Sequence, residues 1–250
     1  MKVVYFPLLL IPSLVLRLSS VEPVHRGFYC GDSSLSFPYE ENQTFPTYLC
    51  FILWSVISFF IVGGVTLKQK LWKQLLSTIY CFMTGLSVCL LVTDTLKFSV
   101  GRLRPYFLSV CQPDLADVCY NILEVENSVE GYESNETYTV DVPYVKFVEE
   151  CGQQVDKEAR LSFISGHASI SFYTAIFLII FLRKFFDWRS IGTLIQLTCF
   201  LLALWISISR ITDYQHQPED VLGGCLPGSL CAAWVTTRYL NQNDEDILNS

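Results

Sequence analysis

Two histidines, four cations and a serine–glycine pair fall in three short stretches of this 250-residue sequence, in a pattern suited to holding and attacking a phosphate-like anion. The first stretch, residues 97–105, reads KFSVGRLRP. Seven residues separate Lys97 from Arg104, so on a continuing helix both cations share one face about 10 Å apart along its axis. Pro105 disfavours helical geometry at Arg104, which predicts that the helix stops there and Arg104 turns inward. The second stretch, residues 162–169, contains Ser165, Gly166 and His167 at the start of an apolar run. A small hydroxyl and a glycine at a helix start leave backbone N–H groups open to an anion, with His167 in the first turn. The third stretch, residues 209–220, reads SRITDYQHQPED. Pro218 suits the first helical position, which puts His216 just outside the helix and Asp220 within its first turn. A carboxylate bonded to one imidazole nitrogen fixes the other as a base or nucleophile.

Lys97, Arg104 and Arg210 thus offer anion ligands, Ser165 and Gly166 offer hydrogen bonds, and His167 and His216 handle protons. Phosphoryl transfer needs that inventory, because charge on the non-bridging oxygens must be neutralised between a nucleophile and a leaving-group acid. No CxxC spacing and no cluster of carboxylates supplies a coordination set, so neither metal nor cofactor is expected. Each stretch alone has a structural alternative: cations beside a span reach for headgroups, Asp94 pairs with Lys97, a boundary histidine packs, and Glu219 and Asp220 cap a helix. A headgroup-binding scaffold, or transfer of phosphate to an alcohol, draws on parts of the same set.

The elements that must position these residues are membrane helices. The chain is 51% hydrophobic and 16% charged, with a mean hydropathy of +0.37. Apolar runs at about 3–20, 47–67, 74–96, 167–186, 190–209 and 221–240 predict an all-α, six-span bundle forming a single domain over residues 1–250. The first run also has the shape of a secretory signal peptide. Lys68, Lys70 and Lys73, and Arg183, Lys184 and Arg189, mark two cytoplasmic loops, and the polar tail after 240 reads as cytoplasmic too. All three chemical stretches then fall on the extracellular or lumenal side.

An external loop between spans three and four, residues 106–160, carries most of the acid: residues 114–160 hold twelve acids and three bases in a chain of net charge −7. Such a loop argues against nucleic acid as a partner. Asn42 and Asn135 begin glycosylation sequons on segments assigned outside. One or two disulfides are expected among Cys30, Cys111, Cys119 and Cys151, in a pairing that spacing leaves open.

With these motifs the sequence resembles the type 2 phosphatidate phosphatase superfamily, whose signatures are KxxxxxxRP, PSGH and SRxxxxxHxxxD. Here they read KFSVGRLRP, ISGH and SRITDYQHQPED, in the same order. RGFYCGDSSLSFPYE, residues 26–40, is similar to the animal lipid phosphate phosphatase subfamily. Ile164 departs from the signature proline, at a position of backbone geometry rather than chemistry. The resemblance implies a magnesium-independent phosphatase acting on phosphatidate, lysophosphatidate, sphingosine 1-phosphate and ceramide 1-phosphate. It implies that His216 attacks phosphorus to form a phosphohistidine, Asp220 orients it and His167 protonates the leaving alkoxide. In those roles a neutral His216 and a protonated His167 predict a bell-shaped rate profile with both limbs near neutrality. Lys97, Arg104, Ser165, Gly166 and Arg210 would hold the phosphate. Expected partners are lipid phosphates and membrane lipids, with a homo-oligomer left open. The expected location is the plasma membrane, with endoplasmic reticulum or Golgi as alternatives.

Overall fold

The computed structural model describes residues 6–70, 72–112, 119, 144–145, 157–186 and 189–248. Apolar sequence becomes helix here because a helix satisfies its own backbone polar groups where no water can. In chain order the helices are α1 (Phe6–Leu18), α2 (Thr47–Lys68), α3 (Trp72–Val100), the short α4 (Phe107–Cys111), α5 (Gly166–Phe185), α6 (Arg189–Thr212) and α7 (Pro218–Leu248). Among the described residues, four are long and apolar enough to cross a membrane: Thr47–Lys68, Leu75–Val100, Gly166–Phe185 and Ser190–Thr212. The chain is therefore an integral membrane protein. The other two expected spans do not meet that measure. α1 has 13 residues with Pro12 inside it, and α7 dilutes its apolar residues with Glu219, Asp220, Pro227 and a polar end. Most of the expected loop at 106–160, with Asn135 and Cys151, lies outside the described residues.

The bundle is organised round α5. Its apolar window is 67% buried inside the protein, against 28% for each of the other three. It packs against α2, α3, α6 and α7. Small residues permit this, since Ala168, Ser169 and Ala175 are fully buried. On α7, a Cβ added at Gly224 or Gly228 would lie 2.4 Å from the Ser165 carbonyl oxygen or 2.3 Å from that of Ser169. In lipid, where apolar surface gains nothing by leaving the solvent, such close backbone approach and interhelical hydrogen bonds hold helices together. Trp54 Nε1 of α2 donates to Ser171 Oγ at 2.9 Å, and the Tyr173 hydroxyl donates to the Phe82 carbonyl of α3 at 2.7 Å. Leu222, Leu226, Leu230 and Trp234 face outward from α7 at four-residue spacing, a stripe suited to lipid.

The all-α expectation needs one amendment: β1 (Phe28–Tyr29) pairs antiparallel with β2 (Tyr144–Val145). A Cys30–Cys119 disulfide lies beside this ribbon, and Cys111 is also disulfide-bonded. Asp94 is corrected as well. It pairs not with Lys97 but with α1, accepting from Arg17 Nε at 2.8 Å, Arg17 Nη2 at 2.7 Å and the Ser13 hydroxyl.

The end of α3 also differs from expectation. Gly101, rather than Pro105, stops the helix: Gly101 takes a left-handed φ of +59° while its N–H still bonds the Lys97 carbonyl at 3.0 Å. The chain then runs extended, with Arg104 N donating to the Ala159 carbonyl and Ser162 N to the Arg102 carbonyl, each at 2.9 Å. Lys97 and Arg104 therefore do not share a helix face. A Cβ at Gly101 would lie 1.8 Å from the Val24 carbonyl oxygen. Gly101→Ala is expected to cost at least about 1–2 kcal/mol from the left-handed conformation alone. A lowered unfolding midpoint in detergent checks this, with Gly63→Ala, where nothing lies within 4 Å, as the control.

Candidate functional site

The three stretches meet at one end of the bundle. Lys97 comes from the last turn of α3, Arg104 from the extended segment after it, Gly166 and His167 from the first turn of α5, Arg210 from the last turn of α6, and His216 from the α6–α7 turn. All six line one cavity of about 380 Å³. Ser165 and Asp220 are fully buried behind its wall. The Ser165 N–H donates to the Asp220 carbonyl at 2.9 Å, so what Ser165 can still offer a ligand is its hydroxyl.

The cations are only partly answered by the protein. Lys97 Nζ donates to the Leu161 carbonyl at 2.5 Å. Arg104 donates from Nη1 to Gln215 Oε1 at 2.7 Å and from Nη2 to Glu158 Oε2 at 2.6 Å. Burial opposes ionisation of Glu158, but Arg104 and Lys97 hold its carboxyl below the ordinary range. Arg210 donates to Gln43 Oε1 at 3.0 Å and to Asp213 Oδ2 at 2.7 Å. Asp213 in turn accepts from Thr44 N at 2.9 Å and Thr44 Oγ1 at 2.7 Å, tying the segment before α2 to the site. Asn42, exposed, sits next to Gln43 on that segment.

Arg104 Nε, Ser165 Oγ, His167 Nε2 and Gln215 Nε2 are buried without a hydrogen-bond partner, and one further atom, Ser58 Oγ, shares that condition among the described residues. A buried polar group left unpaired costs roughly 1–3 kcal/mol. Three of the four belong to residues lining the cavity, and the fourth precedes Gly166 in its wall. Such a gathering suits an oxygen-rich anion that completes them together. His167 is held by a hydrogen bond to the backbone of Phe45.

The His216–Asp220 pair departs from expectation. Nδ1 stands 3.9 Å from Asp220 Oδ2, too far for a hydrogen bond. Ser162 Oγ lies between them, 2.6 Å from Oδ2 and 3.4 Å from Nδ1. Asp220 also accepts from Gln217 N at 2.9 Å and Arg102 Nη1 at 2.8 Å. Burial, followed by the positive charges of Arg104 and Lys97, lowers the His216 pKa well below its ordinary value. The shift favours the neutral ring.

Sequence reasoning missed Ser162, Arg102, Gln43, Glu158 and Gln215 as members of this site. Arg102 carried a signal, as one of the cations on the side where cations are disfavoured. The others carried none, since they act across more than fifty residues or through loop geometry.

The PAP2 superfamily model matches residues 76–244, which contain all three stretches. Phospholipid phosphatase 1 of Rattus norvegicus is 32% identical over 241 residues, covering 90% of this chain and 78% of that protein. Phospholipid phosphatase 2 of Homo sapiens is 29% identical over 247 residues, covering 92% and 78%. No solved structure matches the chain.

Orthovanadate or inorganic phosphate is expected to raise the unfolding midpoint of the detergent-solubilised protein. At ten times its dissociation constant the ligand adds about 1.4 kcal/mol of stability. Arg104→Gln should remove most of the shift, whereas an unshifted wild type would show that the unpaired groups form no anion site.

Proposed function

The chain belongs to the PAP2 superfamily, among its lipid phosphate phosphatases, and on that premise we propose that it hydrolyses lipid phosphate monoesters without a metal ion, through a phosphohistidine at His216. The observation that carries this reading is the set of unpaired polar atoms at Arg104, Ser165, His167 and Gln215 round a cavity whose wall holds a neutral His216. Lys97, Arg104 and Arg210 neutralise the phosphate, aided by the Ser165 hydroxyl and Gly166. His216 Nε2 attacks phosphorus as the bond to the lipid oxygen breaks, and His167 supplies the proton that the departing alkoxide takes up. Water then attacks phosphorus, passing its proton to His167, breaking the phosphorus–nitrogen bond and returning both histidines to their starting forms. Asp220 orients the nucleophile.

The substrates in this reading are phosphatidate, lysophosphatidate, sphingosine 1-phosphate and ceramide 1-phosphate. Its support is a cavity at the ends of membrane-length helices, where a headgroup can enter while its chains stay in hydrocarbon. We assign the site to the extracellular or lumenal face from loop charge. In this assignment α1 and α7 complete six spans of one domain, residues 106–160 form an outer loop, and Asn42 and Asn135 accept glycans. The location is the plasma membrane, with internal membranes as the alternative.

Phosphate release from lysophosphatidate and phosphatidate in mixed micelles with chelator tests this. Activity should survive chelation and fall by about a thousandfold or more in His216→Ala. His167→Ala should lose roughly a hundred- to ten-thousandfold. A chelator-sensitive enzyme, or an active His216→Ala, would exclude the mechanism.

The pH profile follows from the depressed His216. The ring binds its proton only as pH falls through that lowered pKa, and then it has no lone pair to attack with. The acid limb of kcat/KM is therefore expected below about pH 6.5, the ordinary histidine value, instead of near neutrality. An acid limb above that value contradicts a neutral nucleophile.

A further inference from the structure

Resting on the reading of His216 as nucleophile, we propose that Ser162 is a positioning residue that bridges the imidazole to Asp220, while Arg102 anchors the carboxylate. Ser162 and Asp220 are both fully buried, so no water competes for their hydrogen bonds. The 3.9 Å between His216 Nδ1 and Asp220 Oδ2 leaves a gap that a direct contact does not fill. Asp220 is not free to close it: Gln217 N fixes Oδ2 and Arg102 Nη1 fixes Oδ1. The Ser162 hydroxyl occupies the gap.

A hydroxyl has one proton and two lone pairs. At 2.6 Å that proton goes to the Asp220 carboxylate, which is the strong acceptor. The remaining contact, 3.4 Å to His216 Nδ1, can then be a hydrogen bond only if Nδ1 donates. The bridge therefore selects the tautomer with its proton on Nδ1, leaving the lone pair on Nε2 of a ring that lines the cavity. As His216 bonds to phosphorus its ring becomes cationic, and Asp220 stabilises that charge through the hydroxyl bridge, with the proton staying on Nδ1. Burial and the positive charges of Arg104, Lys97 and Arg210 oppose that charge, which makes the bridge to Asp220 matter. Arg102 and Ser162 are set together, because Ser162 N donates to the Arg102 carbonyl at 2.9 Å.

The test compares full-length wild type, Ser162→Ala, Ser162→Cys and Arg102→Gln on lysophosphatidate in micelles, reading kcat, KM and the pH profile. Ser162→Ala is expected to lower kcat about ten- to a hundredfold with KM within about twofold, because the phosphate ligands are untouched. Its acid limb should move to lower pH, since the imidazolium loses its acceptor. Ser162→Cys, which keeps a weaker donor, should fall between the two, and Arg102→Gln should lower kcat in the same sense. A wild-type kcat and profile in Ser162→Ala overturns the bridge. So does a loss accompanied by a lower unfolding midpoint with the acid limb unmoved, the mark of a structural role alone. If Ser162→Ala does not fold, Ser162→Cys decides by the same two readouts. An inactive His216→Ala beside an indifferent Ser162→Ala removes only the bridge, whereas an active His216→Ala removes the nucleophile itself.

Discussion

The backbone of α7 rests against the first turn of α5 with no side chain between them. Gly224 lies so close to the Ser165 carbonyl that no Cβ fits, and the Ser165 N–H donates to the Asp220 carbonyl. That approach brings the α5 start, with Gly166 and His167, against the α7 start, with Asp220 and the turn that carries His216. In lipid the approach has to come from small residues, because apolar bulk on the facing surfaces would hold the helices apart without a compensating gain. The extended segment after α3 is then located by its two backbone hydrogen bonds to residues 159 and 162, which brings Arg104 to Gln215 and Arg102 to Asp220.

Electrostatics follow from this assembly. Lys97, Arg104 and Arg210 surround a cavity whose lining, among the described residues, holds fewer anions than cations, and Lys97 donates to a backbone carbonyl. Concentrated positive charge of this kind favours an anion and adds to burial in lowering the His216 pKa. The charges that would hold a phosphate are thus also the charges that leave the proposed nucleophile with its lone pair. Asp220 sits on the far side of that field, its own charge answered by Arg102.

Much of the arrangement was legible in the sequence, for reasons tied to particular residues. The expected spans at 47–67, 74–96, 167–186 and 190–209 correspond to α2, α3, α5 and α6, because uninterrupted apolar runs of that length have one way to satisfy their backbones. The motif residues Lys97, Arg104, Gly166, His167, Arg210 and His216 were each identifiable from type and spacing, and they line one cavity. The helix stop was misplaced. Pro105 is the louder local signal, but Gly101 acts first because a left-handed residue ends a helix before a downstream proline can. Asp94 was misjudged for a related reason. A lysine three residues away is the nearest partner along the chain, yet Arg17 from α1 reaches the same carboxylate from across a helix seam.

The sequence by itself determined a membrane protein with an anion-handling set of histidines and cations, and the family that such a set denotes. Those features are local: hydropathy, helix-start chemistry and fixed spacing are written within twenty or so residues of one another. The tertiary structure alone decided how His216 is supported. The i, i+4 spacing to Asp220 suggested direct contact, but Arg102 and the Gln217 N–H hold the carboxylate away and Ser162 fills the gap. Ser162 lies 54 residues from His216, and no pattern along the chain links them. Only the packing of α5, α7 and the segment after α3 brings that hydroxyl within reach of both groups.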